Sequence, residues 1–119
     1  MIVDDSDLMR LRLRALLREV PGVHLVAEAA TAEAAQQMLP GSPPDIMILD
    51  LRLPDSSGLD VLRAARTLPH PPRVIILTDY GYDMLRQRCR AAGADAFLEK
   101  GTEFDRLPEV IDALRPIHA

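Results

Sequence analysis

Short apolar runs, each ended by polar residues, are the feature that most constrains this chain. Continuous apolar runs of this length are typical of strands buried on both faces of a parallel sheet. The carboxyl ends of parallel strands lie at one edge of the sheet, so we expect the polar residues that follow to meet there. The runs with their polar residues are Met1–Val3 with Asp4 and Asp5, Ile46–Leu49 with Asp50, Val74–Leu77 with Thr78, and Ala96–Leu98 with Lys100.

Segments of helical period separate these runs. From Asp7 to Val20 the apolar residues fall on one helical face, with Ser6 or Asp7 as a suitable N-cap. Pro108 is expected to break the first turn of the last helix or to displace its start. The strand-helix order occurs five times, which predicts an α/β fold with a parallel sheet and helices on both faces. The other predicted elements are a strand at Val23–Ala29 and helices at Thr31–Leu39, Gly58–Thr67, Asp83–Ala92 and Thr102–Leu114.

Length and charge narrow the class of protein. A chain of 119 residues fits one domain, so we expect residues 1–119 to fold together. The net charge of −4 argues against nucleic-acid binding by this domain. No apolar run approaches the roughly 18 residues of a membrane span, and the start has no signal-peptide pattern, so a cytoplasmic location is expected. The first strand is short for a central position, which leaves open whether residues precede Met1.

The predicted sheet edge has the chemistry of a metal and phosphoryl site. If Asp4, Asp5 and Asp50 lie on adjacent strands, carboxylates about 5 Å apart repel by roughly 3 kcal/mol per pair at an effective dielectric near 20. Oxygen ligands of this kind favour Mg²⁺ or Mn²⁺. A hydroxyl from Thr78 and the ammonium of Lys100, the single lysine among 14 basic residues, complete a site suited to phosphoryl transfer.

These residues resemble the receiver domain of bacterial two-component response regulators. The resemblance covers nearly the whole chain. It implies a five-stranded parallel sheet of order 2-1-3-4-5, a flavodoxin-like, doubly wound (βα)5 fold. Its motifs are Val3-Asp4-Asp5-Ser6, the segment from Ile48 through Asp50 and Pro54 to Gly58, Leu77-Thr78, and Phe97-Leu98-Glu99-Lys100.

The resemblance also implies a role for each site residue. Asp50 would be the phosphoacceptor, with Thr78 and Lys100 binding the phosphoryl group. Phe97 matches an aromatic switch whose ring turns inward when Thr78 moves toward the phosphoryl group. Because Phe97 has no hydroxyl to bond at the surface, we expect its ring to be biased inward. The implied Mg²⁺ ligands, for which Mn²⁺ is a possible substitute, are Asp5, Asp4, Asp50 and the backbone carbonyl of Arg52.

The implied function is that of a signalling switch. A sensor histidine kinase or a phosphotransfer protein would supply the phosphoryl group. The domain would catalyse only its own phosphorylation and dephosphorylation, and it would have no external product. The face built from Asp83–Ala92, Ala96–Leu98 and Thr102–Leu114, here named the output face, would control an effector domain or a homodimer. No contact with nucleic acid or membrane is expected of this domain.

Three positions depart from the family pattern. Gly101 follows Lys100 where the family commonly has a proline with a cis bond, and because a cis bond without proline costs about 3 kcal/mol, we expect a trans bond. Asp79 follows Thr78 where a small residue is usual. Arg52 lies two residues after the acceptor position. Two arrangements are open at the site mouth: an Arg52–Asp79 ion pair, or both side chains solvated.

Other functions fit the residues less well. A phosphatase of the haloacid dehalogenase type needs a second aspartate two residues after the nucleophile, and here that position is Arg52. A flavodoxin-like cofactor binder would place a phosphate against Asp4 and Asp5, which would repel it. A degenerate receiver that only docks partners, independently of phosphorylation, stays open because of Gly101 and Asp79.

Overall fold

A computed structural model describes residues 1–116 and contains a five-stranded sheet in the order β2-β1-β3-β4-β5. All neighbouring strands in it are parallel, as predicted. The central position of β1, β3 and β4 places three of the polar strand ends side by side. The strands are β1 (Ile2–Val3), β2 (Glu28–Ala29), β3 (Ile46–Leu49), β4 (Arg73–Thr78) and β5 (Ala96–Glu99).

Side-chain caps mark the starts of the first three helices. The side chains of Ser6, Thr31 and Ser57 each accept a backbone N–H from the first turn that follows, which satisfies one of the orphan donors of that turn. Gly93 follows the fourth helix with φ 103°, a backbone conformation that a residue with a side chain rarely adopts. The helices are α1 (Asp7–Arg18), α2 (Ala32–Met38), α3 (Gly58–Arg66), α4 (Asp83–Ala91), α5 (Lys100–Glu103) and α6 (Leu107–Leu114).

The sheet separates two hydrophobic clusters. Successive residues of the central strands point to opposite faces, so Met47 and Leu49 pack with α2, α3 and α4, whereas Ile48 packs with α1 and α6. Both faces of these strands are therefore apolar, which explains their continuous apolar runs. No helix among residues 1–116 is long and apolar enough to cross a membrane.

Two predicted elements are corrected by the structure. The strand expected at Val23–Ala29 has only Glu28 and Ala29 in the sheet, because β1, its single neighbour, offers just Ile2 and Val3 for pairing. The helix expected at Thr102–Leu114 is divided into α5, a 3-10 turn at Phe104–Arg106, and α6. Pro108 lies at the start of α6, where its missing N–H needs no partner, so the expected displacement of the helix start is found.

Candidate functional site

Parallel pairing positions the acidic side chains. The N–H of Asp50 donates to the carbonyl of Val3 at 2.9 Å, and the N–H of Asp4 donates to the carbonyl of Ala29 at 3.0 Å. These bonds extend the ladders by one residue beyond the strands. Asp4 and Asp50 thus leave neighbouring strands at the same level, as the apolar runs predicted.

The three acids form one cluster. Carboxylate oxygens of Asp4, Asp5 and Asp50 all lie within 4.8 Å of one another. Asp4 and Asp50 are buried, with 2% and 5% of their surface exposed, whereas Asp5 is exposed. Two buried carboxylates and one open to solvent fit a divalent cation that keeps some of its water ligands.

Lys100 is the counter-ion of the two buried acids. Its Nζ donates to Asp4 Oδ2 at 2.8 Å and to Asp50 Oδ2 at 2.9 Å. Burial raises the pKa of Asp50, with a further rise from Asp4, against the opposing effect of Lys100. Burial alone would lower the pKa of Lys100, but its bonds to Asp4 and Asp50 more than offset this, and the pKa is raised. The ammonium therefore stays charged within the site.

Thr78 carries an unpaired hydroxyl. It is the last residue of β4 and pairs in register with Glu99, which precedes Lys100. Its Oγ1 is buried and has no hydrogen-bond partner among the residues that the structure describes. An unsatisfied buried polar group costs about 1–3 kcal/mol. A phosphoryl oxygen would supply the missing partner.

Gly58, the first residue of α3, packs closely against the start of residues 51–57, here named the acceptor loop because they follow Asp50. A Cβ at this position would lie 2.2 Å from the carbonyl oxygen of Asp50 and 2.8 Å from Cα of Leu51. The N–H of Gly58 donates to the carbonyl of Leu51 at 2.9 Å. Only glycine allows this approach, so the loop that follows the candidate phosphoacceptor depends on it.

Asp55 fixes the other end of the same loop, a role that the sequence did not reveal. Its carboxylate accepts the N–H groups of Ala32 at 2.9 Å and Glu33 at 3.0 Å, in the first turn of α2. The bonds from Glu33 and Ala32 lower the pKa of Asp55. No local signal could have found this contact, because the partners are 22 and 23 residues away in the chain.

At the mouth of the site, the Arg52–Asp79 ion pair is not found, whereas the expected trans bond between Lys100 and Gly101 is. Among residues 1–116 no ion pair joins Arg52 to Asp79. The Arg52 guanidinium instead lies over the Tyr80 ring, 4.8 Å from its centroid, and donates to the Tyr80 hydroxyl. One aromatic residue offers both a ring face and an acceptor, which explains this preference. No described peptide bond is cis, so Lys100–Gly101 is trans as expected.

Arg86 covers Phe97 on the output face. Its guanidinium lies 4.7 Å from the ring centroid of Phe97, and Nη1 donates to the Phe97 carbonyl at 3.2 Å. Nη2 donates to Glu103 at 2.7 Å, and Nε donates to the Gly81 carbonyl at 3.4 Å. The Phe97 side chain is half-buried and packs against the hydrophobic cluster that contains Met47 and Leu49. Its switch role stays a prediction, as does the role of the Arg52 carbonyl.

Comparison with known proteins decides the family. The sequence profile of the response regulator receiver domain matches residues 1–112. This chain belongs to the response regulator receiver family. The receiver is 28% identical to the response regulator UvrY of Escherichia coli (strain K12) over 119 residues, covering 100% of this chain and 53% of that protein.

Other relatives agree with the assignment. The receiver is 32% identical to the DNA-binding transcriptional activator DevR/DosR of Mycobacterium tuberculosis, covering 98% of this chain and 55% of that protein. The crystal structure of a LuxR-family two-component response regulator from Aurantimonas sp. SI85-9A1 superposes with a TM-score of 0.89 at 32% identity, over 96% of this chain and 81% of that one. The receiver spans about half the length of the curated relatives that it matches.

Proposed function

We propose that this receiver is a phosphoacceptor switch in which Asp50 takes the phosphoryl group. The observation that carries the proposal is the incomplete site at the sheet edge. Asp50 is held by Lys100 at 2.9 Å, and Thr78 has a buried hydroxyl without a partner. A phosphoryl group on Asp50 would give that hydroxyl a bond and would place its own negative charge beside an ammonium.

The acid cluster suits a divalent cation, Mg²⁺ with Mn²⁺ as a substitute. Asp5, Asp4 and Asp50 would hold it, together with the backbone carbonyl of Arg52. When bound, such an ion neutralises charge on the oxygens of the transferring phosphoryl group. The fit rests on the donor set, which is oxygen only, and on the 4.8 Å limit within which the three carboxylates lie.

Each side chain then has a defined task. An oxygen of the Asp50 carboxylate attacks phosphorus, so an O–P bond forms as the bond between phosphorus and the donor breaks, and the electron pair of that bond leaves with the donor. Lys100 pairs with a phosphoryl oxygen in place of its present contact with Asp50. The Thr78 hydroxyl donates a hydrogen bond to another phosphoryl oxygen.

The donor and the output complete the proposal. A sensor histidine kinase or phosphotransfer protein in the cytoplasm supplies the phosphoryl group, and the receiver catalyses only its own phosphorylation and dephosphorylation. Thr78 and Phe97 carry the change to the output face. One relative is named a DNA-binding transcriptional activator, which supports an effector domain or a homodimer as the responding element.

Phosphorylation by a small phosphodonor tests the proposal. Intact-mass measurement of the receiver with acetyl phosphate and Mg²⁺ should show a single added phosphoryl group. Asp50→Asn should lose it completely, whereas the exposed Asp60→Asn should keep it. A phosphoryl group that persists on Asp50→Asn would refute the assignment, and a wild-type receiver that is never phosphorylated, even with its kinase, would favour a docking module.

A further inference from the structure

Arg10 of α1 contacts the backbone between the two neighbouring acids. Its Nη1 donates to the carbonyl oxygen of Asp4 at 2.6 Å. The Arg10 side chain is largely buried, with 16% of its surface exposed. A buried guanidinium directed at a backbone carbonyl needs an explanation beyond solvation, because arginine is usually exposed.

Arg10 is itself held from two sides. Its Nε lies 3.4 Å from Glu28 on β2, and its Nη2 donates to Asp7. The planar guanidinium presents its donors in a fixed fork, which lets one side chain bond three acceptors at once. Arg10 therefore joins α1, β2 and the loop after β1.

Every polar group of Asp4 has a partner as a result. Its N–H bonds Ala29, its Oδ1 accepts the Ser6 N–H at 2.9 Å, and its Oδ2 pairs with Lys100. The bond from Arg10 fixes the remaining carbonyl. That carbonyl belongs to the peptide group that joins Asp4 to Asp5, so its orientation determines where the exposed Asp5 carboxylate projects.

We infer that Arg10 is a positioning residue for the divalent-cation site. It fixes the Asp4–Asp5 peptide so that Asp5 faces the Asp4 and Asp50 carboxylates before an ion binds. The inference rests on the proposed cation site and adds a residue that holds its ligands. Partners that orient metal ligands typically contribute about 10- to 100-fold in affinity.

The chain offers a matched control. Arg14 lies one turn later on α1 and also pairs with Glu28, at 3.6 Å, and its Nε donates to the Arg10 carbonyl at 3.4 Å, but it makes no hydrogen bond or ion pair with Asp4. Arg10→Met and Arg14→Met each remove one pairing with Glu28, and both replace arginine by another good helix former. Only the first removes the bond to the Asp4 carbonyl.

The experiment is calorimetric titration of the folded, unphosphorylated receiver with Mg²⁺, repeated with Mn²⁺ and followed by electron paramagnetic resonance. Arg10→Met should bind about tenfold more weakly than wild type, while Arg14→Met stays within twofold. Equal affinities for Arg10→Met and wild type, or an equal loss in Arg14→Met, would overturn the inference. If either variant fails to fold, Arg10→Ala and Arg14→Ala serve for the same comparison.

An Asp5→Asn arm separates this inference from the proposed function. If wild type binds neither ion, the proposed cation site itself is wrong. If wild type binds and Asp5→Asn does not, but Arg10→Met binds like wild type, the site stands and the positioning role of Arg10 is wrong.

Discussion

Charge is arranged differently at the acidic edge of the sheet and on the output face. At the edge, Asp4, Asp50 and Lys100 are nearly excluded from water, and the Thr78 hydroxyl has no described partner. On the output face, Arg86 and Glu103 pair with each other nearer the surface. At the edge, the Thr78 hydroxyl would gain a partner from a phosphoryl group, whereas on the output face Arg86 and Glu103 already pair with each other. Ion pairs near the surface break at little cost, so we expect substitutions on the output face to change stability less than substitutions at the edge.

Replacing Gly58 should have the largest effect and would test how rigid the acidic edge is. In Gly58→Ala the new Cβ meets backbone atoms of Asp50 and Leu51, which cannot move aside like a flexible side chain. We expect a loss of about 3 kcal/mol in unfolding free energy by urea denaturation. Gly41→Ala is the control, since nothing lies within 4 Å of a Cβ there. Similar stabilities for the two variants would contradict a tightly packed acceptor loop.

The next largest effect is expected for Asp50→Asn, which removes the free-energy cost of ionising a buried carboxyl group. Burial raises its pKa above 3.8, so the folded state holds this proton more tightly than the unfolded chain does. Stability from this group therefore falls as pH rises from about 3.8 through the folded pKa, and the penalty is full above it. Asp50→Asn mimics the neutral form and should have a higher free energy of unfolding than wild type at neutral pH without metal. The gain should vanish in acid and shrink with Mg²⁺.

Asp55→Asn is the matched control, for which we expect the opposite change in the free energy of unfolding. Hydrogen bonds from Glu33 and Ala32 lower the pKa of Asp55 below 3.8, so its contribution is present above that value and is lost as pH falls through the folded pKa. This variant should be less stable than wild type at neutral pH and equal to it in strong acid. Thermal melts across pH would measure both, and a stabilised Asp55→Asn would contradict the capping role.

The smallest effect is expected on the output face. Glu103→Gln weakens the contact with Arg86 that lowers the pKa of Glu103. A pair of this kind is worth about 0.5 kcal/mol, so the melting temperature should change little. The Phe97 ring, which Arg86 covers, should become more mobile in side-chain NMR relaxation. A large loss of stability with an unchanged ring would mean that the pair supports the fold instead of restraining the switch residue.

The sequence predicted the two regions unequally. The acidic edge was predictable because each of its polar residues lies within two residues of the end of an apolar run, and parallel topology brings such residues together. The contacts of Asp55 with α2 and of Arg86 with Phe97 and Glu103 were not, because they join residues distant in the chain. The bond from Arg10 to the Asp4 carbonyl spans only six residues, but no sequence pattern indicates this contact between a side chain and the backbone. The Arg52–Asp79 pairing was wrong for a related reason, since charge alone did not reveal the competing ring of Tyr80.

The boundaries of the helices and strands were also predictable only in part. The starts of α1, α2 and α3 could be predicted from Ser6, Thr31 and the turn before Gly58, because a capping side chain bonds a backbone N–H only a few residues away. The length of β2 could not be predicted, because an edge strand extends only as far as its neighbour, here β1, pairs with it. The break before α6 was signalled by Pro108, but the short helix at Lys100–Glu103 had no comparable signal.

One measurement tests the link between the two regions most directly. Backbone amide spectra of the receiver are recorded with Mg²⁺, before and after addition of beryllofluoride, which mimics a phosphoryl group on an aspartate. The expected result is a set of large shifts at Asp50, Thr78 and Lys100, with smaller shifts at Gly81 and Phe97, because the Phe97 side chain is already half-buried. Absence of shifts at Asp50, or shifts confined to Thr31–Leu39, would contradict a phosphoacceptor at the sheet edge that signals through the output face.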